Sequence, residues 1–402
     1  MVSILHKDRI QKDLLQWFKK NKRDLPWRKT RDPYAIWVSE IMLQQTQVNT
    51  ALPYYQRFLK AFPTVCRLAR ADLSRVLKIW EGLGYYSRAR NFHRASQIVL
   101  NHFHSRIPNN LEDLLSLPGI GRSTAGAILS FAFNKDAAIL DGNARRVLSR
   151  LFAVPAADVP NSLSLRGAKQ RSNPGKNEIA ARFWLAMTCK DHKLLCIGKP
   201  LKSKTDDLLW EISESLIPNG FSNPFNQALM DLGSMICTPK DPSCQECPLR
   251  GLCKGRLSGE PERFPLRISK KKIPHVEAVC GVIWKKGRAL LEQRPPSGLL
   301  GGLWEFPNWK VEEKKRLRLM LRNYIQKEMG MGVEVNSPVG TFNQTFSHFK
   351  LTLHVYHCHI INGKGKGRWV SVKNFPLFPM SRIHRRIANR LEPDGLSLRP
   401  RT

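Results

Sequence analysis

Four cysteines crowd one short stretch of the chain with the spacing C-x6-C-x2-C-x5-C; they are Cys237, Cys244, Cys247 and Cys253. The N-terminus reads as an amphipathic helix and not as a signal peptide, so we expect a reducing, cytoplasmic compartment. In such a compartment clustered cysteines usually bind metal. The spacing by itself leaves a zinc site and an iron–sulfur cluster open, because four thiolates can hold either.

One carboxylate stands in an unusually apolar segment, DPYAIWVSEIMLQQTQV, which spans residues 32–48. Glu40 is flanked there by apolar residues, and apolar surroundings raise the pKa of a carboxyl group. A carboxyl group that keeps its proton suits general acid catalysis. Helical spacing predicts that Gln44 and Gln47 share the face of Glu40. The same periodicity also fits a solvent-facing glutamate on an ordinary helix.

The stretch DLLSLPGIGRSTAGAIL, residues 113–129, predicts a helix, a tight glycine-rich turn and a second helix. Outward-facing backbone N–H groups in such a turn suit a phosphate oxygen, so the candidate phosphate contacts are Leu117, Gly119 and Gly121. Any helical hairpin needs a similar turn, so the pattern is weak alone. Further along, ILDGNARRVLSR places Asp141 in an apolar and basic context.

The balance of charge is strongly basic: 66 lysines and arginines oppose 32 aspartates and glutamates, a formal net charge of +34. Because this excess is spread along the chain, it favours nucleic acid over a membrane surface as the partner. No apolar run approaches the roughly 20 residues that a membrane-spanning helix needs. The length of 402 residues suits two domains better than one hydrophobic core.

The elements that must position these residues change in type along the chain. Residues 1–253 carry apolar side chains at helical spacing and predict a mainly α domain. Residues 254–274, rich in proline and basic residues, predict a linker, and residues 275–402 predict a smaller α/β domain. The basic segment 161–196 interrupts the helical pattern. We interpret it as a tolerated insertion, with a DNA-contacting arm as the alternative.

Seven segments occur in the order seen in MutY-type adenine DNA glycosylases, which this chain resembles: DLPWR, VSEIMLQQTQV, IWEGLGYYSRARN, LPGIGRSTAGAIL, LDGNARRVLSRL, FNQALMDLGSMIC and the four-cysteine loop 237–253. The resemblance covers nearly the whole chain, with 161–196 as the main departure. It implies a two-lobed helix-hairpin-helix glycosylase domain, a 4Fe-4S cluster on the four cysteines, and a Nudix-like domain. It further implies a bacterial, nucleoid-associated monomer that excises adenine opposite 8-oxoguanine or guanine in duplex DNA.

The same resemblance implies roles for individual residues. Glu40 would protonate the adenine and later help to activate water, while Asp141, assisted by Asn143, would stabilise the sugar cation. The residues that would line the adenine pocket are Trp27, Arg28, Leu43 and Gln227. Those wedged into the duplex would be Gln45 and Tyr85. In the Nudix-like domain, TFSHF (345–349) would read 8-oxoguanine through Ser347 and His348.

Two other functions remain open at this point. Related endonuclease-III-type lyases carry a lysine that forms a Schiff base just after GIGR, and this chain has Ser123 there, which implies a monofunctional glycosylase. A protein that binds lesions without catalysis is the non-enzyme alternative, and the presence of Glu40 and Asp141 counts against it. The C-terminal part lacks the acidic pattern of a Nudix hydrolase, so we expect no nucleotide pyrophosphatase activity.

Overall fold

The computed structural model describes residues 4–154, 201–265, 273–312 and 315–391, with residues 201–204 described by backbone alone. The segment 161–196, interpreted above as an insertion, lies outside these ranges. The chain divides into two compact units: the first unit is Met1–Leu25 with Leu129–Ser269, and the second unit is Pro26–Ile128 with Lys270–Thr402. No helix in the described ranges is long and apolar enough to cross a membrane.

Helices make up the described chain before the sheet, as the apolar spacing predicts. In order they are α1 (Lys7–Asn21), α2 (Pro33–Leu43), α3 (Val48–Ala61), α4 (Val65–Ala69), α5 (Leu73–Trp80), α6 (Tyr86–His102), α7 (Leu111–Ser116), α8 (Arg122–Phe133), α9 (Gly142–Phe152), α10 (Leu201–Ser215), α11 (Ser222–Met235) and α12 (Lys254–Leu257). Short 3-10 turns lie at Pro26–Arg28 and Pro261–Arg263. Helix α8 crosses the boundary between the two units.

The core of the first unit packs the N-terminal helix α1 against helices from much later in the chain. Helix α1 buries Ile10, Leu14 and Phe18 in one cluster with residues of α9, α10 and α11, which confirms the predicted amphipathic N-terminal helix. The side chain of Gln11 donates a hydrogen bond of 3.0 Å to the carbonyl oxygen of Leu216. Apolar burial and polar contacts therefore both tie the N-terminus to the later helices.

A buried ion pair strengthens this closure. The guanidinium of Arg23 donates to Oδ1 of Asp231 at 2.8 Å and 2.5 Å, and the Asp231 side chain is 0% exposed. Removing one member of a buried pair is strongly destabilising, because the remaining buried charge loses its main compensation.

We therefore expect Arg23→Met to lower the free energy of unfolding by about 3 kcal/mol, because it removes a positive charge and two hydrogen bonds from the buried carboxylate of Asp231. Equilibrium urea unfolding followed by far-UV circular dichroism measures the change. The matched control is Arg9→Met, since Arg9 pairs with Asp13 on the surface of α1 and its side chain is 66% exposed. Equal shifts for the two variants would contradict the expectation.

Aromatic packing holds the helices of the second unit. Trp37, Phe58, Trp80 and Phe92 are fully buried, and the ring centroid of Phe92 lies 4.6 Å from that of Trp37 and 5.8 Å from that of Phe58. Edge-to-face and offset contacts of this kind add to the stabilisation that burial of the rings provides. This core fixes α2, the helix that carries Glu40.

Helix α2 is shorter than its sequence pattern predicts. It ends at Leu43, Gln44 is its C-cap, and Gln47 precedes the first residue of α3. The backbone of Gln45 is left-handed, with φ of 56°, and interrupts the helical path. The prediction that Gln44 and Gln47 share one helix face with Glu40 is therefore wrong, because the helix stops before either residue.

Seven strands form the sheet of the second unit: β1 (His275–Lys285), β2 (Arg288–Gln293), β3 (Trp304–Glu305), β4 (Asn308–Val311), β5 (Gly332–Thr345), β6 (Lys350–Asn362) and β7 (Arg368–Ser371). The order is β3-β2-β1-β6-β5, with β4 paired to β1 and β7 paired to β2. Strands β1 and β6 are parallel, and the other pairs are antiparallel.

Two helices cover the two faces of this sheet. Helix α13 (Leu317–Met329) buries Leu321 and Ile325 on the face of Val279, while α14 (Arg382–Ala388) buries Ile383 on the face of Cys280. Neighbouring strand residues point to opposite faces, so both faces of β1 carry apolar side chains. The predicted α/β architecture of the C-terminal part is confirmed.

Within the second unit, polar contacts attach the sheet to α5 and α6. The Tyr86 hydroxyl donates to the carbonyl oxygen of Met380 at 3.2 Å, and Arg90 donates to the carbonyl oxygens of Gly298 and Gly301 at 2.9 Å and 3.0 Å. Arg385 of α14 pairs with Glu81 at 2.6 Å, and both side chains are largely buried. The sheet and these helices therefore share one compact body.

Candidate active site

Glu40 lies near the end of α2, on a helix that is buried almost throughout. Asp32 caps its N-terminus by accepting from the backbone N–H groups of Tyr34 and Ala35, and Pro33 occupies the first helical turn. Eight of the eleven residues of α2 are buried, including both neighbours of Glu40, while Glu40 itself is half-buried. The carboxyl group thus stands beside an apolar core and retains partial contact with solvent.

Five of the six residues predicted to line a base pocket or to wedge a duplex lie in the second unit, as Glu40 does. Trp27 is buried and packs edge-to-face on Tyr55 with 5.2 Å between ring centroids; Arg28 follows it in the same 3-10 turn and is half-buried. Leu43, also half-buried, is the last residue of α2. Gln45 and Tyr85 are both exposed, and both have left-handed backbone.

The glycine-rich turn joins α7 to α8 as predicted. Gly119 has φ of +85°, a backbone conformation that favours glycine. A Cβ atom there would also stand only 3.0 Å from Cβ of Asn91, so there is little room for a side chain. Leu117 is buried beneath the turn, whereas Gly119 and Gly121 are exposed. Ser123 lies in the first turn of α8 and is half-buried.

Asp141 is the N-cap of α9 in the first unit. Its Oδ1 accepts from the backbone N–H of Ala144 at 2.7 Å, and its Oδ2 accepts from the Asn143 amide at 3.1 Å. These two donors hold the carboxylate in one orientation, with each of its oxygens accepting one hydrogen bond. Asn143 is itself packed on Gly233 of α11, where an added Cβ would lie 2.6 Å from Cβ of Asn143.

Two arginines of α9 connect Asp141's helix to the four-cysteine loop. Arg146 donates to Oδ1 of Asn143 at 2.9 Å and to the carbonyl oxygen of Cys237 at 2.7 Å. Arg150, 2% exposed, donates to Sγ of Cys237 at 3.3 Å and to the carbonyl oxygen of Thr238 at 2.7 Å. A displacement of the loop would therefore act directly on the helix that Asp141 caps.

The four cysteines of the loop lie close enough to interact electrostatically. Burial is the main cause that raises the pKa of the Cys247 thiol to about 12; a backbone hydrogen bond at Leu249 acts against it, and the thiols of Cys237, Cys253 and Cys244 add to it. Cys237, Cys247 and Cys253 also pack against the core of the first unit. Cysteine thiolates are the type of ligand that an iron–sulfur cluster takes.

No group of three or more His, Cys, Asp or Glu side chains in the described ranges is arranged to hold a metal ion.

The segment after the loop, assigned by sequence to a linker, begins with α12. Its Gly255 approaches α9 so closely that a Cβ atom would lie 2.8 Å from the carbonyl oxygen of Arg150. Residues 254–257 are thus ordered against the helix that holds the loop.

The TFSHF segment forms the tip of the β5–β6 hairpin. The backbone N–H of Phe346 donates to the carbonyl oxygen of Phe349 at 2.8 Å, and the two rings stack with 4.6 Å between centroids. Ser347 and His348 project at the exposed tip, with Oγ of Ser347 3.2 Å from Nδ1 of His348. The stacked rings therefore hold two polar side chains out to solvent.

Comparison with known proteins finds both parts of this architecture. A family model described as "HhH-GPD superfamily base excision DNA repair protein" matches residues 38–166, and one described as "NUDIX domain" matches residues 278–390. The adenine DNA glycosylase of Buchnera aphidicola subsp. Baizongia pistaciae is 32% identical over 90% of this chain and 90% of its own. The chain belongs to the adenine DNA glycosylase family.

Another relative of that name and a solved structure also match this chain. The Homo sapiens protein is 32% identical, over 85% of this chain and 65% of its own. A solved structure of a thermostable thymine-DNA glycosylase matches 62% of this chain and 95% of its own, with 28% identity and a TM-score of 0.47. Membership of the family confirms the predicted fold class and the predicted enzyme class, a DNA glycosylase of base excision repair.

The candidate residues of this adenine DNA glycosylase family member divide between the two units. The first unit carries Asp141, Asn143, Gln227 and the four cysteines, and the second unit carries the other candidates. Gln227 lies on α11, half-buried, with its amide donating to Oδ1 of Asn223 at 2.5 Å. Sequence reasoning missed Arg146 and Arg150, although their positions four residues apart on α9 place them on one helix face.

Proposed function

We propose that the protein hydrolyses the N-glycosidic bond of adenine opposite 8-oxoguanine, or opposite guanine, in duplex DNA. The observation that carries the proposal is the fixed carboxylate of Asp141, held by two donors at the start of α9 in a member of the adenine DNA glycosylase family. A fixed anion of this kind stabilises a developing sugar cation without reorganisation during the reaction. The net charge of +34 supports duplex DNA as the partner.

The chemistry follows from two carboxyl groups with different tasks. Glu40, on its apolar helix, protonates the adenine ring so that the base leaves as a neutral molecule, and then assists the attack of water. Asp141 stabilises the oxocarbenium ion, and the Asn143 amide holds its Oδ2 at 3.1 Å. The adenine must leave the base stack before either step, with Trp27, Arg28 and Leu43 of the second unit as candidate contacts to the base.

The test is incubation of the purified protein with an end-labelled duplex that contains one adenine opposite 8-oxoguanine. We expect strand cleavage only after alkali treatment, because a monofunctional glycosylase leaves an intact abasic site. Cleavage without alkali, with a covalent adduct trapped by borohydride, would instead support the lyase mechanism. Ser123 offers no amine for that adduct. A duplex that binds but is never cut would support the non-catalytic alternative.

In this proposal one 4Fe-4S cluster would be held by the four cysteines of the loop, Cys237, Cys244, Cys247 and Cys253. When bound, the cluster supplies iron–thiolate bonds that cross-link the loop, and Arg146 and Arg150 then connect a rigid loop to α9. Lys240 and Arg250 of the loop and Lys254, which directly follows it, are exposed and suit contacts with a DNA backbone.

Removal of one ligand tests the cluster. In protein purified anaerobically we expect about four iron atoms per chain, and Cys247→Ala should lower iron and sulfide together and weaken binding to the duplex. The matched control is Cys66→Ala, a half-buried cysteine of the second unit, which should leave the iron content unchanged. Stoichiometric zinc without sulfide in the wild-type protein would show that the loop is a zinc site.

Recognition of the opposite base is assigned to the hairpin tip. We expect Ser347→Ala combined with His348→Ala to reduce the preference for adenine opposite 8-oxoguanine over adenine opposite guanine, by about 10-fold, as expected for two lost polar contacts. The measurement is single-turnover excision on both duplexes at one salt concentration. Glu334→Ala, exposed near the other end of β5, is the control. An unchanged ratio in the double variant would remove the tip from recognition.

A further inference from the structure

A single buried arginine connects three pieces of the second unit. Arg88 lies in the first turn of α6, is 9% exposed, and donates five hydrogen bonds, all to neutral oxygens. The acceptors are the carbonyl oxygens of Ile41 (3.0 Å), Met42 (2.9 Å), Gln44 (2.5 Å) and Gly84 (3.2 Å) and the hydroxyl of Thr46 (3.1 Å). Burying a charged guanidinium is costly, and these hydrogen bonds offset that cost.

Three of these carbonyls belong to the end of α2. Ile41 and Met42 are in its last turn and Gln44 is its C-cap, so their carbonyl oxygens are among those that lack a partner within the helix. A cation at the C-terminal end of a helix is also favourable for the helix dipole. Arg88 therefore caps the helix that carries Glu40. Burial lowers the pKa of its guanidinium to about 10, which still leaves it charged at neutral pH.

Two of the five acceptors directly precede exposed residues with left-handed backbone. Gln45 has φ of 56° and Tyr85 has φ of 48°, a region that side-chain-bearing residues occupy at a cost. The carbonyl oxygens of Gln44 and Gly84 belong to the peptide groups that immediately precede these two residues. The guanidinium carbon also lies 5.4 Å from the centroid of the Tyr85 ring. The Arg88 side chain thus fixes the peptide group that precedes Gln45 and the one that precedes Tyr85.

We infer that Arg88 is a positioning residue that holds Gln45 and Tyr85 as one rigid wedge for opening the duplex beside the target adenine. The inference rests on the proposed function, which assigns the wedge role to these two residues. Arg88 does not touch the adenine in this account; it acts through the backbone of the two loops. Without it, the strained conformations at Gln45 and Tyr85 lose the hydrogen bonds that oppose relaxation to ordinary backbone.

The experiment compares two substrates that differ in the work of extrusion. In the first, adenine is paired opposite 8-oxoguanine; in the second, the same adenine and 8-oxoguanine lie within a short unpaired bubble. We expect Arg88→Met to slow single-turnover excision about 100-fold on the paired duplex, since small misplacements of positioning groups have effects of this size. The loss on the bubble should be about 10-fold or less, because the base is already unstacked.

A second readout follows the base stack directly. With 2-aminopurine beside the target adenine, the wild-type protein should raise its fluorescence on binding, and Arg88→Met should not. Arg88→Lys retains the charge with fewer donors and should recover part of both the rate and the signal. The matched control is Arg94→Met, exposed on the same helix, which should behave as wild type. Equal losses on the paired and bubble substrates would overturn the inference.

A mutant cycle with Gln45 and Tyr85 tests the inference in case Arg88→Met folds poorly. In a chain that carries Gln45→Ala and Tyr85→Ala, the further change Arg88→Lys should add little loss, because the residues act as one unit. A full additive loss would show that Arg88 acts independently of the wedge and would overturn the inference. A wild-type protein without adenine excision would instead refute the proposed function, and the inference with it.

Discussion

Replacing Glu40 with glutamine is expected to abolish adenine excision while leaving DNA binding intact. The amide keeps the size and shape of the side chain on α2 but cannot supply the proton, and general acid catalysis contributes up to about 10⁴-fold. We expect the single-turnover rate on adenine opposite 8-oxoguanine to fall by at least about 10³-fold. The affinity for the same duplex, measured at the same salt concentration, should change by less than about 3-fold.

The control for this substitution is Glu112→Gln, on α7 of the same unit, where the side chain is exposed. It removes one negative charge from the same part of the protein and should leave the rate unchanged. A Glu40→Gln protein that excises adenine at the wild-type rate would exclude Glu40 as the acid. The proton would then have to come from another group or from solvent.

Asp141→Asn should produce the second large loss. Asparagine is as good an N-cap as aspartate, so α9 should still begin at the same residue and the free energy of unfolding should change little. The neutral amide cannot stabilise a cation, and loss of such electrostatic stabilisation costs about 10² to 10³-fold in rate. Thermal unfolding and single-turnover excision together separate the loss of charge from the loss of structure.

An equivalent substitution at another helix start provides the comparison. Asp72 caps α5 by accepting from the backbone N–H of Ser74 at 2.6 Å, so Asp72→Asn tests the same exchange without a catalytic assignment. We expect wild-type excision from Asp72→Asn. If Asp141→Asn also retains single-turnover activity, the carboxylate at the start of α9 has no part in the chemistry.

The helices and the sheet were predictable because their burial follows simple periods. In α1 the spacing of Ile10, Leu14 and Phe18 gives one apolar stripe, and those three residues are the buried ones. In β1 both faces are apolar, as expected for a strand covered by helices on each side. The location of TFSHF at a hairpin tip was not predicted from periodicity, although the segment itself was identified by resemblance.

The end of α2 could not be predicted in the same way. Gln44 and Gln47 continue the helical spacing from Glu40, and nothing in their residue types requires a helix to stop at Leu43. At this end the last carbonyls of the helix accept hydrogen bonds from Arg88, which is distant in sequence. An arginine is expected on the surface by default, so its burial among backbone oxygens is visible only in the structure.

The division into two units could not be predicted from the order of the elements along the chain either. Residues 1–253 read as one run of helices, yet Met1–Leu25 packs with Leu129–Ser269, and Pro26–Ile128 packs with Lys270–Thr402. Local periodicity reports which face of each helix is buried and does not report the partner. The partners are specified by pairs such as Arg23 and Asp231, which become meaningful only once they are in contact.

The closure of the first unit by α1 has a consequence for how the chain is made. Gln11 and Leu216 are 205 residues apart, and Arg23 and Asp231 are 208 apart, so α1 leaves the ribosome long before its partners exist. A helix of 15 residues is marginal alone, and its apolar stripe stays exposed until then. The entropic cost of closing such a loop rises only with the logarithm of its length. Adding or removing a segment the size of 161–196 changes that cost by roughly 0.2 kcal/mol, so the N-terminal closure tolerates large changes in the chain it spans.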